Sequence, residues 1–136
     1  MHDSERRLLT DLRRALLHLH KTLLDWERSA YERIHGRTSA GEMLTIIMED
    51  QQFAWLRPIS ELIVRIDETL DMEAPDVPVG VDALVSRARS VVAPDDAGTA
   101  YAQRYHAALQ AYPDAVFAHR GVTTVLKDVP SRHTLH

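Results

Sequence analysis

The sequence predicts an all-α domain resembling an up-and-down four-helix bundle, with a long first helix, a proline-kinked second helix and a short extra C-terminal helix. Apolar residues recur at spacings of three and four in each patterned segment, as in helices, and no segment alternates apolar and polar residues as a strand would. A chain of 136 residues with 45% hydrophobic and 26% charged residues is typical of one globular domain. We therefore predict a single helical domain over residues 1–136.

Composition excludes several functions before any element is considered. The chain has no cysteine, which excludes disulfides, thiolate metal sites and cysteine nucleophiles. Its formal net charge of −4 disfavours nucleic acid and anionic membranes as partners. There is neither a cationic and apolar leader nor an apolar run near the roughly 18 residues of a membrane span, so we expect a soluble, cytoplasmic protein.

The first helix is predicted over residues 4–35 and carries the most regular pattern in the chain. Its main apolar stripe is widened by Leu17, Leu24 and Tyr31, which suggests that more than one neighbour packs on it. Bases and acids stand one turn apart on the opposite face, as on a solvated helix. Gly36 suits the left-handed position that ends a helix. The stripe consists of Leu9, Leu12, Leu16, Leu19, Leu23, Trp26 and Ala30.

The second helix is predicted over residues 40–71 and begins at a capping box formed by Ser39 and Glu42. In such a box the serine and glutamate side chains accept hydrogen bonds from amides at the helix start. Pro58 interrupts the helix, because it has no amide hydrogen to donate to the carbonyl of Ala54 and its ring crowds that carbonyl. We therefore predict a kink, or two abutting helices, between Ala54 and Pro58.

The second half of the chain is divided by prolines. Residues 72–80 hold two prolines and a glycine without helical period, which predicts a linker. Shorter helices are predicted over residues 81–127, and residues 129–136 are predicted to form a loose tail.

Local signals separate these shorter helices. The first ends before Pro94, and Asp95 and Asp96 have the residue type of a cap and first turn for the next. That second helix carries a stripe of tyrosines, and Pro113 stops it and starts a last helix.

Eight histidines make a metal site the first functional hypothesis, yet their spacing gives it little support. A helical di-iron bundle needs two Glu-x-x-His pairs, whereas the single such pair here ends the first helix. His106 and His119 remain as weak candidates, because both lie at the edge of an apolar face. They could share an ion with Glu49 or Asp50, although two satisfied, partly buried histidines are the simpler interpretation. We predict no metal site and no cofactor.

No sequence feature predicts an enzyme active site. No serine lies in a G-x-S-x-G elbow, and the five glycines are scattered and form no phosphate-binding loop. We therefore expect no catalytic residues.

The block from Phe53 to Glu68, FAWLRPISELIVRIDE, is the most specific pattern in the chain, and it follows the run WERSAYER from Trp26 to Arg33. Together they resemble an uncharacterised family of small all-helical bacterial proteins, in which F-A-W-L-x-P-[LIM]-S-x-L-I-V-x-I-D-E follows a long first helix. The resemblance spans roughly residues 16–70 and brings no activity with it, because the family has no assigned function.

The candidate binding site within this block consists of Trp55, Arg57, Pro58 and Glu61. The bend at Pro58 would free a backbone carbonyl beside Trp55, and Arg57 and Glu61 would edge a small pocket for a ligand or a partner side chain. In the alternative interpretation Trp55 is a core anchor, and the proline only wraps the second helix around the first.

Two functions remain open. We prefer a non-enzymatic helical protein that acts through protein–protein contacts, with self-association through Leu17, Leu24 and Tyr31 as its homodimeric form. The alternative is a small-molecule or metal-binding bundle, which requires polar groups to converge in an internal cavity near Trp55. DNA binding is disfavoured, since no helix-turn-helix with a basic second helix is found.

Overall fold

Seven helices account for nearly all of the chain that the computed structural model describes, which is residues 3–71, 80–127 and 129. No strand is found within these ranges, so the predicted all-α class is confirmed. Apart from Gly80 and Val129, the predicted linker and tail lie outside the described residues. The helices are α1 (Asp3–His35), α2 (Ala40–Glu49), α3 (Gln51–Ala54), α4 (Arg57–Asp71), α5 (Val81–Val91), α6 (Ala100–Ala111) and α7 (Pro113–Lys127).

Helix α1 is the longest element, and its 33 residues extend over about 50 Å. The leucines of its predicted stripe are fully buried, so the three-and-four spacing does define the face that the other helices cover. Gly36 ends it in the left-handed conformation at φ 85°, and its amide donates to the carbonyl of Glu32 at 2.8 Å. A side chain at that φ would be strained, which explains the glycine.

The predicted second helix is three helices in the structure. The capping box at its start is present: the amide of Glu42 donates to the Ser39 hydroxyl at 3.2 Å, and the amide of Ser39 donates to the Glu42 carboxylate. At Asp50 the backbone turns extended, which ends α2. The Asp50 carboxylate then accepts from the amide of Gln52 at 2.8 Å and so caps α3. This break, eight residues before the proline, was not predicted.

The second break, at Trp55 and Leu56, lies where Pro58 predicts it and has the form of abutting helices. Pro58 is the second residue of α4, in the first turn, where a backbone amide has no helical partner to lose. The carbonyl of Leu56 accepts from the amides of Ile59 and Ser60, which starts the new helix. The proline therefore fits its position without strain.

Replacing Pro58 with Ala should accordingly lower the free energy of unfolding by at most about 1 kcal/mol, mainly through the greater freedom of the unfolded chain. Val64→Pro is the contrasting variant, because Val64 is exposed in the middle of α4 and a proline there removes a helical hydrogen bond. It should cost about 3 kcal/mol or more. Urea denaturation followed by circular dichroism measures both, and a large loss in Pro58→Ala would contradict the first-turn placement.

Polar contacts show that α3 and α4 run antiparallel to α1. Near the start of α1, Arg6 donates to the carbonyl of Leu70 at 3.1 Å, and Arg13 forms an ion pair with Asp67. Nearer its end, the Gln52 side chain donates to the carbonyl of Glu27 at 3.1 Å. The apolar faces of α1 and α4 therefore meet along much of their length.

Helix α7 also packs antiparallel along α1, and α5 and α6 pack on α7. One end of α7 shares an open groove with the first turns of α1, and Tyr112, just before its other end, lies close enough to Asp25 for electrostatic interaction. Arg89 on α5 donates to the carbonyls of Leu126 and Val129 at 3.2 and 2.7 Å. A cation thus satisfies carbonyls at the end of α7, which also complements the helix dipole.

The start of α6 differs from the prediction at Asp95 and Asp96. Thr99 is the actual cap, and its hydroxyl accepts from the amide of Ala102 at 3.1 Å. Asp95 instead closes a turn: its carboxylate accepts from the amide of Ala97 at 3.0 Å, and its carbonyl accepts from the amide of Gly98. Aspartate suits both positions, so residue type alone did not distinguish a turn from a cap.

Among the described residues, every helix lacks the length of apolar sequence that crossing a bilayer requires.

Candidate functional site

Trp55 points into the protein and binds the most deeply buried charged group that the described residues contain. Its indole nitrogen donates to the Oε2 atom of Glu27 at 2.7 Å, and Glu27 has no solvent-exposed surface. Arg104 on α6 donates from Nη2 to the other carboxylate oxygen, Oε1, at 2.6 Å. Both oxygens of Glu27 are therefore occupied, one by a neutral donor and one by a cation.

Arg104 shields this carboxylate from water without being buried itself. Its side chain remains 43% exposed. Its guanidinium carbon lies 4.9 Å from the ring centre of Trp26 and 6.0 Å from that of Trp55, within the range of cation–π attraction. These contacts join α1, the α3–α4 connection and α6. We call Glu27, Trp26, Trp55 and Arg104 the Glu27 cluster.

A column of aromatic rings continues from the Glu27 cluster toward α7. Tyr101 lies 5.6 Å from Trp55 and 6.0 Å from Tyr105, measured between ring centres. The Tyr101 hydroxyl donates to the carbonyl of Val91 at 2.8 Å, and the Tyr105 hydroxyl is 2.7 Å from Nδ1 of His119. Burial raises the pKa of both tyrosines. They are therefore neutral hydrogen-bonding groups over the physiological range.

The structure places the predicted site residues in different surroundings. Trp55 faces inward, whereas Arg57 and Glu61 are exposed on α4. An open groove of about 420 Å³ does include Glu61, but Arg57 is not one of its lining residues, which are Ser60, Glu61, Val64, Arg65 and Glu68. The Ser60 hydroxyl bonds back to the carbonyl of Arg57 at 3.1 Å, as a serine in the first helical turn can.

Two of the predicted metal candidates are engaged in hydrogen bonds within the chain. The Tyr105 hydroxyl is 2.7 Å from Nδ1 of His119, and His106 is half-buried. Asp50 caps α3, while Glu49 is exposed on α2. Across residues 3–71, 80–127 and 129, no group of three or more His, Asp or Glu side chains is placed to hold a metal ion.

Two half-buried histidines should make folding sensitive to acid. Burial lowers the pKa of both His20 and His119 below the ordinary value of 6.5. At a pH between the folded and the unfolded pKa values, the unfolded chain binds more protons than the folded chain. The stability that the two neutral histidines contribute is therefore fully present above pH 6.5 and is lost as the pH falls below it.

We therefore expect the urea concentration at the midpoint of unfolding to decrease when the pH is lowered from about 7.5 to about 5.5. The decrease should be smaller in His119→Gln. Glutamine keeps a polar partner for Tyr105 but does not titrate. His18→Gln is the matched control, because His18 is exposed on α1. An equal fall in wild type and His119→Gln would exclude His119 as a source of the acid sensitivity.

Three strongly exposed large apolar side chains lie on α2 and in the last turn of α1. Leu44 and Met48 are 60% and 68% exposed, and Ile34 is 78% exposed. Of the six apolar residues among the ten of α2, only Met43 is buried. We call Leu44 and Met48, which lie one turn apart on α2, the α2 face.

The residues predicted for self-association are less exposed than the α2 face. Leu17 is 39% exposed, Leu24 packs partly against the core, and Tyr31 stacks on the His35 ring at 4.1 Å between ring centres. Leu24 and Tyr31 are thus engaged within the chain, whereas Leu17 remains exposed.

Sequence reasoning missed Glu27 and the α2 face. Glu27 lies four residues after Leu23, so it continues the buried leucine stripe as well as Trp26 does. An acid in that position is a signal of a buried ion pair, although its partner lies 77 residues away. The signal for the α2 face was its composition. A ten-residue helix with six apolar residues has more apolar residues than a single buried face requires.

Comparison of the chain with protein-family models, with curated proteins and with solved structures found no match.

Proposed function

We propose that this protein is a non-enzymatic helical protein that acts through protein–protein contacts, and that the α2 face makes them. The observation that carries the proposal is the exposure of Leu44 and Met48 on a helix that buries only Met43. Contiguous exposed apolar surface on a soluble domain commonly marks an interaction site. Burying it against a partner gains roughly 25 cal/mol per Å² of apolar surface, before the costs of association.

The arrangement of the interior supports a structural role for the polar groups near Trp55. Both oxygens of Glu27 are bonded within the chain, and the Tyr105 hydroxyl is bonded to His119. Groups that satisfy one another in this way are less available to a ligand. The small-molecule alternative has less support, because the groove that includes Glu61 is open and lies apart from Trp55.

The proposal includes the up-and-down bundle topology that the sequence predicts. Its support is the antiparallel course of α4 and of α7 relative to α1. A cytoplasmic location remains a prediction from the sequence.

Photo-crosslinking in the native cells tests the proposed function. A photoreactive phenylalanine analogue replaces Met48 in one variant and Phe117 in the other. Phe117 is a matched control, because it is 65% exposed and lies on α7, five residues after Tyr112 and thus beside the middle of α1. We expect a discrete protein adduct from position 48 and none from position 117.

A second substitution tests whether the adduct depends on the α2 face. The adduct should disappear when Leu44→Glu is introduced into the same chain, because a buried charge in an apolar contact is unfavourable. The absence of any adduct at position 48, or adducts of the same mass from both positions, would contradict a protein-binding role for the α2 face.

A further inference from the structure

We propose that α6 is a lid over the Glu27 cluster, and that Arg104 is the latch that keeps this lid closed. In the open state the other helices stay packed, while water reaches the Glu27 carboxylate and the Trp55 indole. Three features of the molecule support this device: how α6 is attached, where the chain can bend beside it, and which charge lies beneath it.

Helix α6 is attached through one face. Tyr101, Arg104 and Tyr105 are three and four residues apart, so their side chains lie on the same side of the helix. Each contacts a different element. The Tyr101 hydroxyl donates to the last residue of α5 at 2.8 Å, Arg104 donates to Glu27 of α1 at 2.6 Å, and the Tyr105 hydroxyl is 2.7 Å from His119 of α7.

Little apolar surface supports these three contacts. Of the twelve residues of α6, only Tyr105 and Ala108 are buried, whereas α5 buries four of its eleven. Segments with few buried contacts open at a lower free energy than the core of the same domain. The closed position of α6 therefore depends strongly on its few polar contacts.

The chain can bend on both sides of α6. The turn before the helix is bonded to α6 itself, because the amide of Asp95 donates to the carbonyl of Ala102 at 3.2 Å and the Gln103 side chain donates to the carbonyl of Gly98 at 2.7 Å. This turn moves with α6, so one hinge lies between α5 and Asp95. Tyr112, extended between α6 and α7, is the other.

Arg104 has the properties of a releasable latch. Its side chain is 43% exposed, yet its guanidinium reaches a carboxylate that has no exposed surface. Trp26 and Trp55 hold the guanidinium by cation–π attraction at 4.9 and 6.0 Å. A buried carboxylate needs either a cation or water. A half-open α6 supplies neither to Glu27, so we expect two positions of the lid, closed and open.

Thiol labelling measures the opening, because the natural chain has no cysteine and a single introduced thiol is the only one present. Ala108→Cys places it beneath α6, and Ala88→Cys is the matched control on α5, since both alanines are fully buried. We expect an aromatic disulfide reagent to label Ala108→Cys at least about tenfold faster. The faster rate should not change in dilute urea, because a local opening exposes little surface.

A second set of variants tests the latch. Adding Arg104→Met to Ala108→Cys should speed labelling at least about tenfold, and the rate should stay independent of dilute urea. Arg104→Lys keeps the positive charge without the planar guanidinium, so its rate should lie between the two. Arg120→Met, at an exposed arginine of α7, should leave the rate unchanged.

Two results would overturn the proposal. Equal labelling of Ala108→Cys and Ala88→Cys, with the same urea dependence, would show that α6 opens only when the whole domain unfolds. An unchanged rate in Arg104→Met would show that Arg104 is not the latch. Circular dichroism checks the folding of each variant, and if Arg104→Met does not fold, Arg104→Lys decides. Hydrogen exchange in the unsubstituted chain compares α6 with α5 without any new side chain.

Discussion

Arg104→Met is expected to lower the free energy of unfolding by about 2 to 4 kcal/mol. The substitution leaves the Glu27 carboxylate buried with only the Trp55 indole as its donor. Breaking a buried ion pair from one side typically costs about 3 to 5 kcal/mol, and we expect less here because the guanidinium is 43% exposed. Urea denaturation at neutral pH measures the loss.

A second substitution shows whether the stranded charge is the cause. Glu27→Gln in the Arg104→Met background removes the charge but keeps an acceptor for the Trp55 indole. We expect this double variant to be more stable than Arg104→Met alone. A double variant that is less stable, or a single variant within about 0.5 kcal/mol of the wild type, would show that the Glu27 cluster does not hold α6 in place.

Tyr105→Ala is expected to cost about 3 to 5 kcal/mol, because it removes the largest side chain that is fully buried in the described residues. Tyr105 packs between Tyr101 and His119, so truncation opens a cavity at the contact of α6 with α7. Thermal and chemical denaturation measure the effect.

Tyr105→Phe is the matched control for the hydroxyl. It keeps the ring and loses only the hydrogen bond to His119, which should cost about 0.5 to 1.5 kcal/mol. If both Tyr105 variants had equal stability, the ring would contribute nothing to the core and the burial of Tyr105 would have to be reconsidered.

Local signals in the sequence predicted much of the fold because their causes are local. Three of these signals each act within a few residues. They are the leucine spacing of α1, the strain-free left-handed site at Gly36, and the capping box at Ser39 and Glu42. Pro113 likewise marks the boundary of α6 and α7. Asp50 and Asp95 were harder, because an aspartate can cap a helix or close a turn and its neighbours do not decide between them.

The candidate site was less predictable, because its contacts join distant parts of the chain. The sequence draws attention to Trp55, but its bond to Glu27 and the approach of Arg104 depend on how three helices pack. Exposure of the α2 face is equally nonlocal. Leu44 and Met48 remain uncovered only because the later helices pack on α1, α4 and one another.

The extended residue at Asp50 also sets how α2 can open. Helix α2 is bounded by Gly36 and its loop on one side and by Asp50 on the other, and it anchors itself mainly through Met43. A segment with so few buried contacts unfolds locally at a fraction of the global free energy. Its amide hydrogens should therefore exchange with solvent sooner than those of α1 or α4, and a bound partner would slow that exchange in α2 first.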